Sequence, residues 1–254
     1  MTNRRAVVTG ASTGIGEATV RALIADGWQV LATARRADRL ARLAEETGCE
    51  FFPADLTVEG DLDALTVAAT SGRVDAVVHV AGGALGTDRV EDADPAKWLR
   101  MFEINVLSTV QLTTRLLPAI REAGGGSLVF ITSTAAHGPY PGGAGYTAAK
   151  HAEQQISATL RLELVGEPIR VIEIAPGMVK TPEFSLNRLG SQEAADQVYQ
   201  GVDEPLTADD IAEAVRWSLA MPDHVNVDLM VLRPVAQASN TVVARKPLAV
   251  RDGK

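Results

Sequence analysis

The chain has 254 residues, an apolar fraction of 46% and a formal net charge of −8. An acidic chain is poorly suited to nucleic acid or to an anionic membrane surface, so neither is expected as a partner. The single cysteine, Cys49, excludes an intrachain disulfide and is typical of a reducing compartment. There is no signal-peptide-like segment and no apolar run of membrane-spanning length, so we expect a soluble cytoplasmic protein.

Short apolar runs alternate with helical patterns along the chain. Strands are predicted at residues 6–8, 29–34, 50–53, 76–80, 127–133 and 170–175. Helices are predicted at 15–26, 37–47, 61–71, 95–122 with a break near Asn105, and 146–165. This alternation predicts one α/β domain over residues 1–254, in which a parallel sheet carries helices on both faces.

A glycine-rich loop, Thr9-Gly-Ala-Ser-Thr-Gly-Ile-Gly16, joins the first strand to the first helix. Gly10, Gly14 and Gly16 would let the backbone approach a pyrophosphate, and the start of the helix offers free N–H groups. The spacing differs from the Gly-x-Gly-x-x-Gly fingerprint, and a merely tight turn is the alternative interpretation.

The end of the second strand bears on the choice of cofactor. An acid there would bind the adenosine ribose of NAD, but the sequence is Ala34-Arg35-Arg36. Arginine can pair with a 2′-phosphate, which favours NADP over the alternative of a solvated basic turn. Asp55, after the third strand, is either an adenine contact or a helix cap.

Tyr146 and Lys150 are four residues apart, which places them on one face of a predicted helix. An ammonium that close to a phenol should lower the tyrosine pKa from its usual value of about 10, giving a proton donor that works near neutral pH. Ser133 ends a predicted strand, where its hydroxyl could bind a substrate oxygen. Taken alone, the three could be ordinary helix and turn residues.

An ordered set of motifs makes the chain resemble the short-chain dehydrogenase/reductase family over nearly its whole length. The set is Thr9–Gly16, Asp55-Leu-Thr57, Ala81-Gly82, Asn105, Ser133, Tyr146, Lys150 and Pro176-Gly177. The resemblance implies a Rossmann-type doubly wound parallel sheet and hydride transfer between a nicotinamide and a carbonyl or alcohol carbon. It also implies a homotetramer.

The resemblance implies a role for each motif residue. Tyr146 would be the acid/base, Ser133 would position the substrate oxygen, Lys150 would assist Tyr146 and hold the nicotinamide ribose, and Asn105 would hold a water in the proton relay. No metal is implied. The NADP(H) site would comprise Gly10, Ser12, Thr13, Gly14, Ile15, Gly16, Arg35, Arg36, Asp55, Leu56, Ala81, Gly82, Tyr146, Lys150, Pro176, Gly177, Val179 and Thr181.

Two regions refine this resemblance. The family usually has two asparagines before Ala81-Gly82, whereas this chain has His79-Val80, so the bracing of the central strands or the local fit of the cofactor is in question. We expect His79 to make a local hydrogen bond. The C-terminal part carries further motifs at residues 183–185, 188, 206–214, 222–226 and 233–237. With these motifs it is similar to the NADP-dependent branch that acts on 3-hydroxy acids, including serine and L-allo-threonine dehydrogenases. There, residues 182–205 would form a substrate lid, with an ordinary connecting loop as the alternative.

A small 3-hydroxy acid carries a carboxylate that needs a partner in a shielded pocket. Arg188 is the preferred candidate because its planar fork suits a carboxylate, although it could instead pair with Glu183 or Glu193. Tyr140 could line the substrate pocket or have a structural role in its loop, as could His137.

Alternative functions are a broad ketone or 3-ketoacyl reductase and a non-catalytic NADP sensor. The intact Ser133, Tyr146 and Lys150 argue against the sensor.

Overall fold

A seven-stranded parallel sheet forms the centre of the computed structural model, which describes residues 4–248. Residues 1–3 and 249–254, the two ends of the predicted 1–254 domain, lie outside the described residues. The strands are β1 (Arg5–Thr9), β2 (Gln29–Ala34), β3 (Glu50–Pro53), β4 (Ala76–His79), β5 (Gly126–Ile131), β6 (Ile169–Pro176) and β7 (Leu229–Leu232). Their order across the sheet is β3-β2-β1-β4-β5-β6-β7. The order reverses direction between β1 and β4, where ligands bind in sheets of this type.

Helices cover both faces of this sheet. They are α1 (Gly14–Ala25), α2 (Ala37–Thr47), α3 (Glu59–Thr70), α4 (Pro95–Phe102), α5 (Ser108–Glu122), α6 (Ala144–Glu163), α7 (Phe184–Leu189), α8 (Gln192–Tyr199) and α9 (Ala208–Ala220). One apolar core holds side chains of α1, α2 and α9 against the strands, and a second holds side chains of α3 and α5. The predicted doubly wound α/β fold is confirmed.

The predicted elements differ from the observed ones in a few places. All six predicted strands exist, but β5 ends at Ile131, so Ser133 lies in the turn that follows it. Strand β7 and helices α7 to α9 were not predicted. Ile156 and Leu160 of α6 and Leu164 directly after it form an apolar stripe at a spacing of four. Leu164 is buried and the other two pack against their own chain's cores, so this stripe is largely covered within the chain.

The predicted break near Asn105 is a π-helical turn, Glu103–Leu107, between α4 and α5. Helix α4 starts as its sequence indicates, with Pro95 in its first turn and the Asp94 side chain accepting from Ala96 N at 2.9 Å. The wider turn brings Asn105, which is fully buried, beneath the loop that follows β4.

Residues 182–205, here named the 182–205 segment, contain α7 and α8. The segment is closed at its base, because Lys180 N donates to Leu206 O at 2.7 Å and Leu206 N donates to Met178 O at 3.1 Å. The segment is therefore a folded, helix-containing insertion whose two ends are hydrogen-bonded to each other. Its role as a lid stays a prediction. None of the described helices has both the length and the apolar character needed to cross a membrane.

His79 makes the local contact that we expected of it. Its Nε2 lies 3.0 Å from Thr113 Oγ1 of α5, and its ring stacks on Phe130 of β5 with centroids 4.9 Å apart. Next to it, Thr9 Oγ1 accepts from Val80 N and Ala81 N, both at 2.9 Å. These contacts brace the central strands without the asparagines that the family usually has.

This buried imidazole should make the fold sensitive to acid. Burial lowers the pKa of His79 to about 3. Between pH 6.5 and 3 the imidazole is therefore protonated in the unfolded chain but not in the folded chain. From pH 7 to 5 this site should remove about 2 kcal/mol from the free energy of unfolding. Urea denaturation at both pH values checks this result, with His79→Asn as the non-titrating control. An equal loss of stability in the control would contradict it.

Candidate active site

A cleft of about 920 Å³ opens at the carboxyl ends of the central strands. Most of the predicted site residues line it, namely Gly10, Ser12, Thr13, Gly14, Ile15, Arg35, Arg36, Asp55, Leu56, Ala81, Gly82, Ser133, Tyr140, Tyr146, Pro176, Gly177, Val179, Thr181 and Arg188. Gly16, Asn105 and Lys150 lie behind the walls of the cleft. The sequence motifs therefore converge on a single site although they are spread over nearly 180 residues of the chain.

The glycine loop wraps closely around the start of α1. Gly14 has φ +54°, a left-handed conformation that favours glycine. A Cβ on Gly16 would overlap the Gly10 carbonyl, so a larger residue would push the loop away from the helix. The Thr13 side chain does not cap α1, which leaves the first N–H groups of the helix for an anion. The loop has the form of a phosphate cradle.

A cluster of charged and polar side chains lies at the end of β2. Arg36 donates to Ser12 Oγ from Nε at 3.2 Å and from Nη2 at 2.9 Å. Glu183 Oε1 accepts from Arg36 Nη1 at 2.7 Å and from Arg39 Nη1 at 2.6 Å. The hydrogen bond from Arg36 is the main cause that holds the pKa of Glu183 below its ordinary value. Arg36 is thus ion-paired, while Arg35 is exposed.

Asp55 lines the cleft close to this cluster, but it does not cap a helix. Its Oδ1 accepts from Thr57 N at 3.0 Å and from Thr57 Oγ1 at 2.7 Å, whereas α3 begins after Val58. The helix-cap alternative was therefore wrong. Burial opposes the charge of Asp55, but the two bonds from Thr57 outweigh it and lower the pKa of this carboxyl.

Tyr146 and Ser133 border the cleft on the side of β5 and α6. The tyrosine is 8% exposed, and its ring meets the Phe184 ring edge-on with centroids 5.7 Å apart. Ser133 Oγ accepts from Ala135 N at 3.1 Å and lies 3.5 Å from the Pro176 carbonyl. Phe184 begins α7, so the 182–205 segment touches the proposed acid/base directly.

Lys150 has a partner that we did not predict from the sequence. Its Nζ donates to Glu153 Oε2 at 2.5 Å and to the Ile131 carbonyl at 3.1 Å. The side chains of Lys150 and Glu153 are only 5% and 1% exposed. Burial works against the lysine charge, but attraction to Glu153 outweighs it and raises the pKa of Lys150. Glutamate three residues after a helical lysine is a pairing signal that the sequence contained.

A second buried acid, Glu173 of β6, lies near this pair. Its Oε1 accepts from Thr132 Oγ1 at 2.8 Å and is 3.0 Å from His137 Nε2. His137 is therefore held against the sheet, and it is absent from the lining of the cleft. Of its two proposed roles, the structural one fits its position.

Asn105 holds the loop that follows β4. Its Oδ1 accepts from Gly83 N at 3.0 Å, and its Nδ2 donates to Gly83 O at 2.9 Å and to Met101 O at 2.6 Å. The side chain thereby fixes the backbone next to Ala81 and Gly82. Its place in a proton relay stays a prediction.

Arg188 and Tyr140 lie together in the lining of the cleft. The Arg188 guanidinium lies 5.3 Å from the centroid of the Tyr140 ring and donates to the carbonyls of Gly86 and Gly142, both at 3.2 Å. It does not pair with Glu183, whose carboxylate is taken by Arg36 and Arg39. Arg188 thus joins α7 to two loops on the opposite wall.

A comparison with known protein families shows where the same kind of chain occurs. Residues 4–190 match the family model described as short chain dehydrogenase. An uncharacterized oxidoreductase of Mycobacterium tuberculosis is 50% identical over 246 residues, with 96% of each chain covered. Serine 3-dehydrogenase of Agrobacterium fabrum is 40% identical over 237 residues, which cover 91% of this chain and 94% of that protein.

A solved structure extends the similarity to three dimensions. The closed form of serine dehydrogenase complexed with NADP+ is 34% identical and aligns with a TM-score of 0.89. The alignment covers 98% of this chain and 100% of the other. The likeness therefore includes the region after residue 190, which the family model does not reach.

Proposed function

The chain belongs to the short-chain dehydrogenase family, and on this premise we propose that it is an NADP(H)-dependent oxidoreductase of small 3-hydroxy acids, including β-hydroxy amino acids, and of their keto or semialdehyde forms. The observation that carries the proposal is the distribution of charge along one cleft. Arg36 lines the cleft with Ser12 next to β2, and Arg188 lines it from α7. The residues proposed for proton transfer, Ser133 and Tyr146, line the same cleft.

Residues at the pyrophosphate part and at the adenosine ribose part of the site support the cofactor assignment. The uncapped start of α1 and its glycine loop suit a pyrophosphate. Ala34, Arg35 and Arg36, which end and follow β2 in the sequence, provide no acid for a ribose 2′-hydroxyl, and the two arginines suit a 2′-phosphate. The similar serine dehydrogenase structure contains NADP+. When bound, the nicotinamide would supply or accept the hydride.

The chain's own residues would handle the proton. In reduction the Tyr146 hydroxyl donates to the substrate oxygen, and in oxidation its phenolate takes the proton back. The Ser133 hydroxyl donates a hydrogen bond to the same oxygen and thereby orients it. Lys150 keeps its positive charge beneath this site because Glu153 is its buried partner. The ring of Phe184 excludes water from one side of Tyr146.

Arg188 is proposed to bind the substrate carboxylate, with Tyr140 beneath it. A guanidinium has five N–H donors, and its bonds to Gly86 and Gly142 use two of them. Because those bonds also fix the guanidinium, it would meet the carboxylate without having to be ordered first. The serine dehydrogenases among the relatives act, by name, on a small 3-hydroxy amino acid.

A substrate panel tests this function. Reduction of NADP and of NAD would be followed with serine, allo-threonine, 3-hydroxyisobutyrate and a neutral alcohol. Arg188→Leu should raise KM for the three acids by roughly tenfold, the value of one charged hydrogen bond, and leave KM for the neutral alcohol nearly unchanged. Equal losses for charged and neutral substrates would show that the variant only disorders the 182–205 segment. Wild-type preference for the neutral alcohol would favour the broad reductase instead.

We also propose that the enzyme is a cytoplasmic homotetramer. Exposed apolar side chains of α4, α5 and the π turn between them form a surface suited to a second copy, namely Leu99, Phe102, Leu107 and Val110. Light scattering at working concentrations tests the assembly, and a monomer would refute it.

A further inference from the structure

The carboxylate of Glu183 lies among the arginines that the proposed function assigns to a cofactor phosphate. It is bound to both Arg36 and Arg39, at 2.7 and 2.6 Å, and its side chain is only 17% exposed. The remaining donors of Arg36 are directed to Ser12 in the glycine loop. Arg36 therefore bridges the phosphate cradle and the first residues of the 182–205 segment.

A carboxylate and a phosphate bind an arginine side chain in the same way. Both accept two parallel N–H bonds from the guanidinium fork, and both bring negative charge. Glu183 carries its negative charge at neutral pH, and the hydrogen bonds from Arg36 and Arg39 lower its pKa further below the ordinary value. A 2′-phosphate that approaches Arg36 therefore meets an arginine whose Nη1 is already bound, and it meets a like charge beside it.

We propose that Glu183 is a specificity-determining residue for the cofactor, which occupies Arg36 and Arg39 while no 2′-phosphate is bound and is displaced from Arg36 when one binds. The proposal rests on the proposed function, because it takes NADP(H) as the cofactor and Arg36 as a phosphate ligand. It follows that Glu183 weakens the binding of the phosphorylated cofactor and hardly affects the unphosphorylated one. Glu183 thus reduces the preference for NADP(H) over NAD(H) that the arginines create.

The competition extends to the substrate side through α7. Glu183 is the residue immediately before this helix, Phe184 touches Tyr146, and Arg188 binds the loop carbonyls across the cleft. Displacement of Glu183 frees one of the anchors that hold the segment over the cleft. Cofactor exchange and movement of the segment are thereby linked by the same ion pair.

Two nucleotide fragments test whether Glu183 competes with the 2′-phosphate. Adenosine 2′,5′-bisphosphate carries the 2′-phosphate and 5′-AMP lacks it, and neither needs catalysis to be measured by titration calorimetry. Glu183→Gln should bind the bisphosphate roughly fivefold more tightly than wild type does, which is the scale of one partly exposed charge contact, and it should bind 5′-AMP unchanged. Glu193→Gln, at an exposed acid of the same segment that has no ion pair among the described residues, should match wild type for both.

A third variant separates this inference from the cofactor assignment. Arg36→Gln should weaken binding of the bisphosphate and leave 5′-AMP unaffected. If it does so while Glu183→Gln leaves bisphosphate binding unchanged or weaker, Glu183 does not compete and this inference is overturned, although the NADP assignment stands. If Arg36→Gln changes neither ligand, Arg36 is not a phosphate ligand and this inference is overturned, while the cofactor assignment then rests on Arg35 alone. Melting temperatures establish that each variant is folded, and Glu183→Ala should repeat the direction found for Glu183→Gln.

Discussion

Replacing Tyr146 with phenylalanine is expected to reduce turnover by at least a hundredfold, roughly the value of a positioned acid/base. The substitution removes one hydroxyl and keeps the ring, so the edge-on contact with Phe184 should persist. The cofactor site at the glycine loop and Arg36 is untouched, so NADPH should bind nearly as it does to wild type. Loss of rate without loss of cofactor affinity is the signature of a proton-transfer group.

Steady-state kinetics with NADPH fluorescence titration would measure both quantities. Tyr199 provides a matched removal of a hydroxyl from the same cleft, because its hydroxyl donates to the Val179 carbonyl at 2.8 Å and is not assigned to the chemistry. Tyr199→Phe should therefore lose far less activity than Tyr146→Phe. Near-normal turnover in Tyr146→Phe would remove the tyrosine from the mechanism.

Glu153→Ala is expected to lower the free energy of unfolding by about 3–5 kcal/mol, the usual cost of leaving one member of a buried ion pair alone. The Lys150 ammonium would then have only the Ile131 carbonyl among the partners seen in the described residues. Urea denaturation at neutral pH measures the loss. Glu163→Ala, which removes an exposed acid near the end of the same helix, should change stability by less than about 0.5 kcal/mol.

A double variant distinguishes a broken pair from a simple cavity. Lys150→Met combined with Glu153→Leu removes both charges and keeps apolar volume, so most of the lost stability should return. The double variant should nevertheless be inactive if Lys150 supports Tyr146. A loss of under about 1 kcal/mol in Glu153→Ala would mean that the buried pair contributes little to the fold.

The central part of the fold could be predicted from the sequence because its elements carry local signals. Buried strands such as β4 and β5 are continuous apolar runs, and α4 begins at Asp94-Pro95. Strand β7 is also a short apolar run, Leu229-Met-Val-Leu232, but it lies at the edge of the sheet and is only partly buried, and this signal was missed. Helix α9 was missed despite a usable signal, since Thr207 and Asp210 form a capping box.

The site divides in the same way between local and distant information. The spacing of Tyr146 and Lys150 and the glycine loop are local patterns; the loop and Tyr146 line one cleft, and Lys150 lies behind its wall. The partner of Arg36 could not be inferred, because Glu183 is 147 residues away and only the fold brings the two together. Glu153 lay within reach of sequence reasoning, but the burial that makes it a partner of Lys150 depends on the packing of α6 against the sheet.

The π turn at residues 103–107 fixes the length of the chain at this point of the fold. A π turn holds one more residue than an α turn, and one residue corresponds to about 100° of rotation along a helix. Deleting a residue here would let α4 and α5 merge into one regular helix, but the inward side of one half would then turn toward solvent. Either Met101 or the buried Leu112 and Leu116 would leave the core. Natural variation in length should therefore be absent from this turn and collect in exposed connections such as residues 71–73 between α3 and β4.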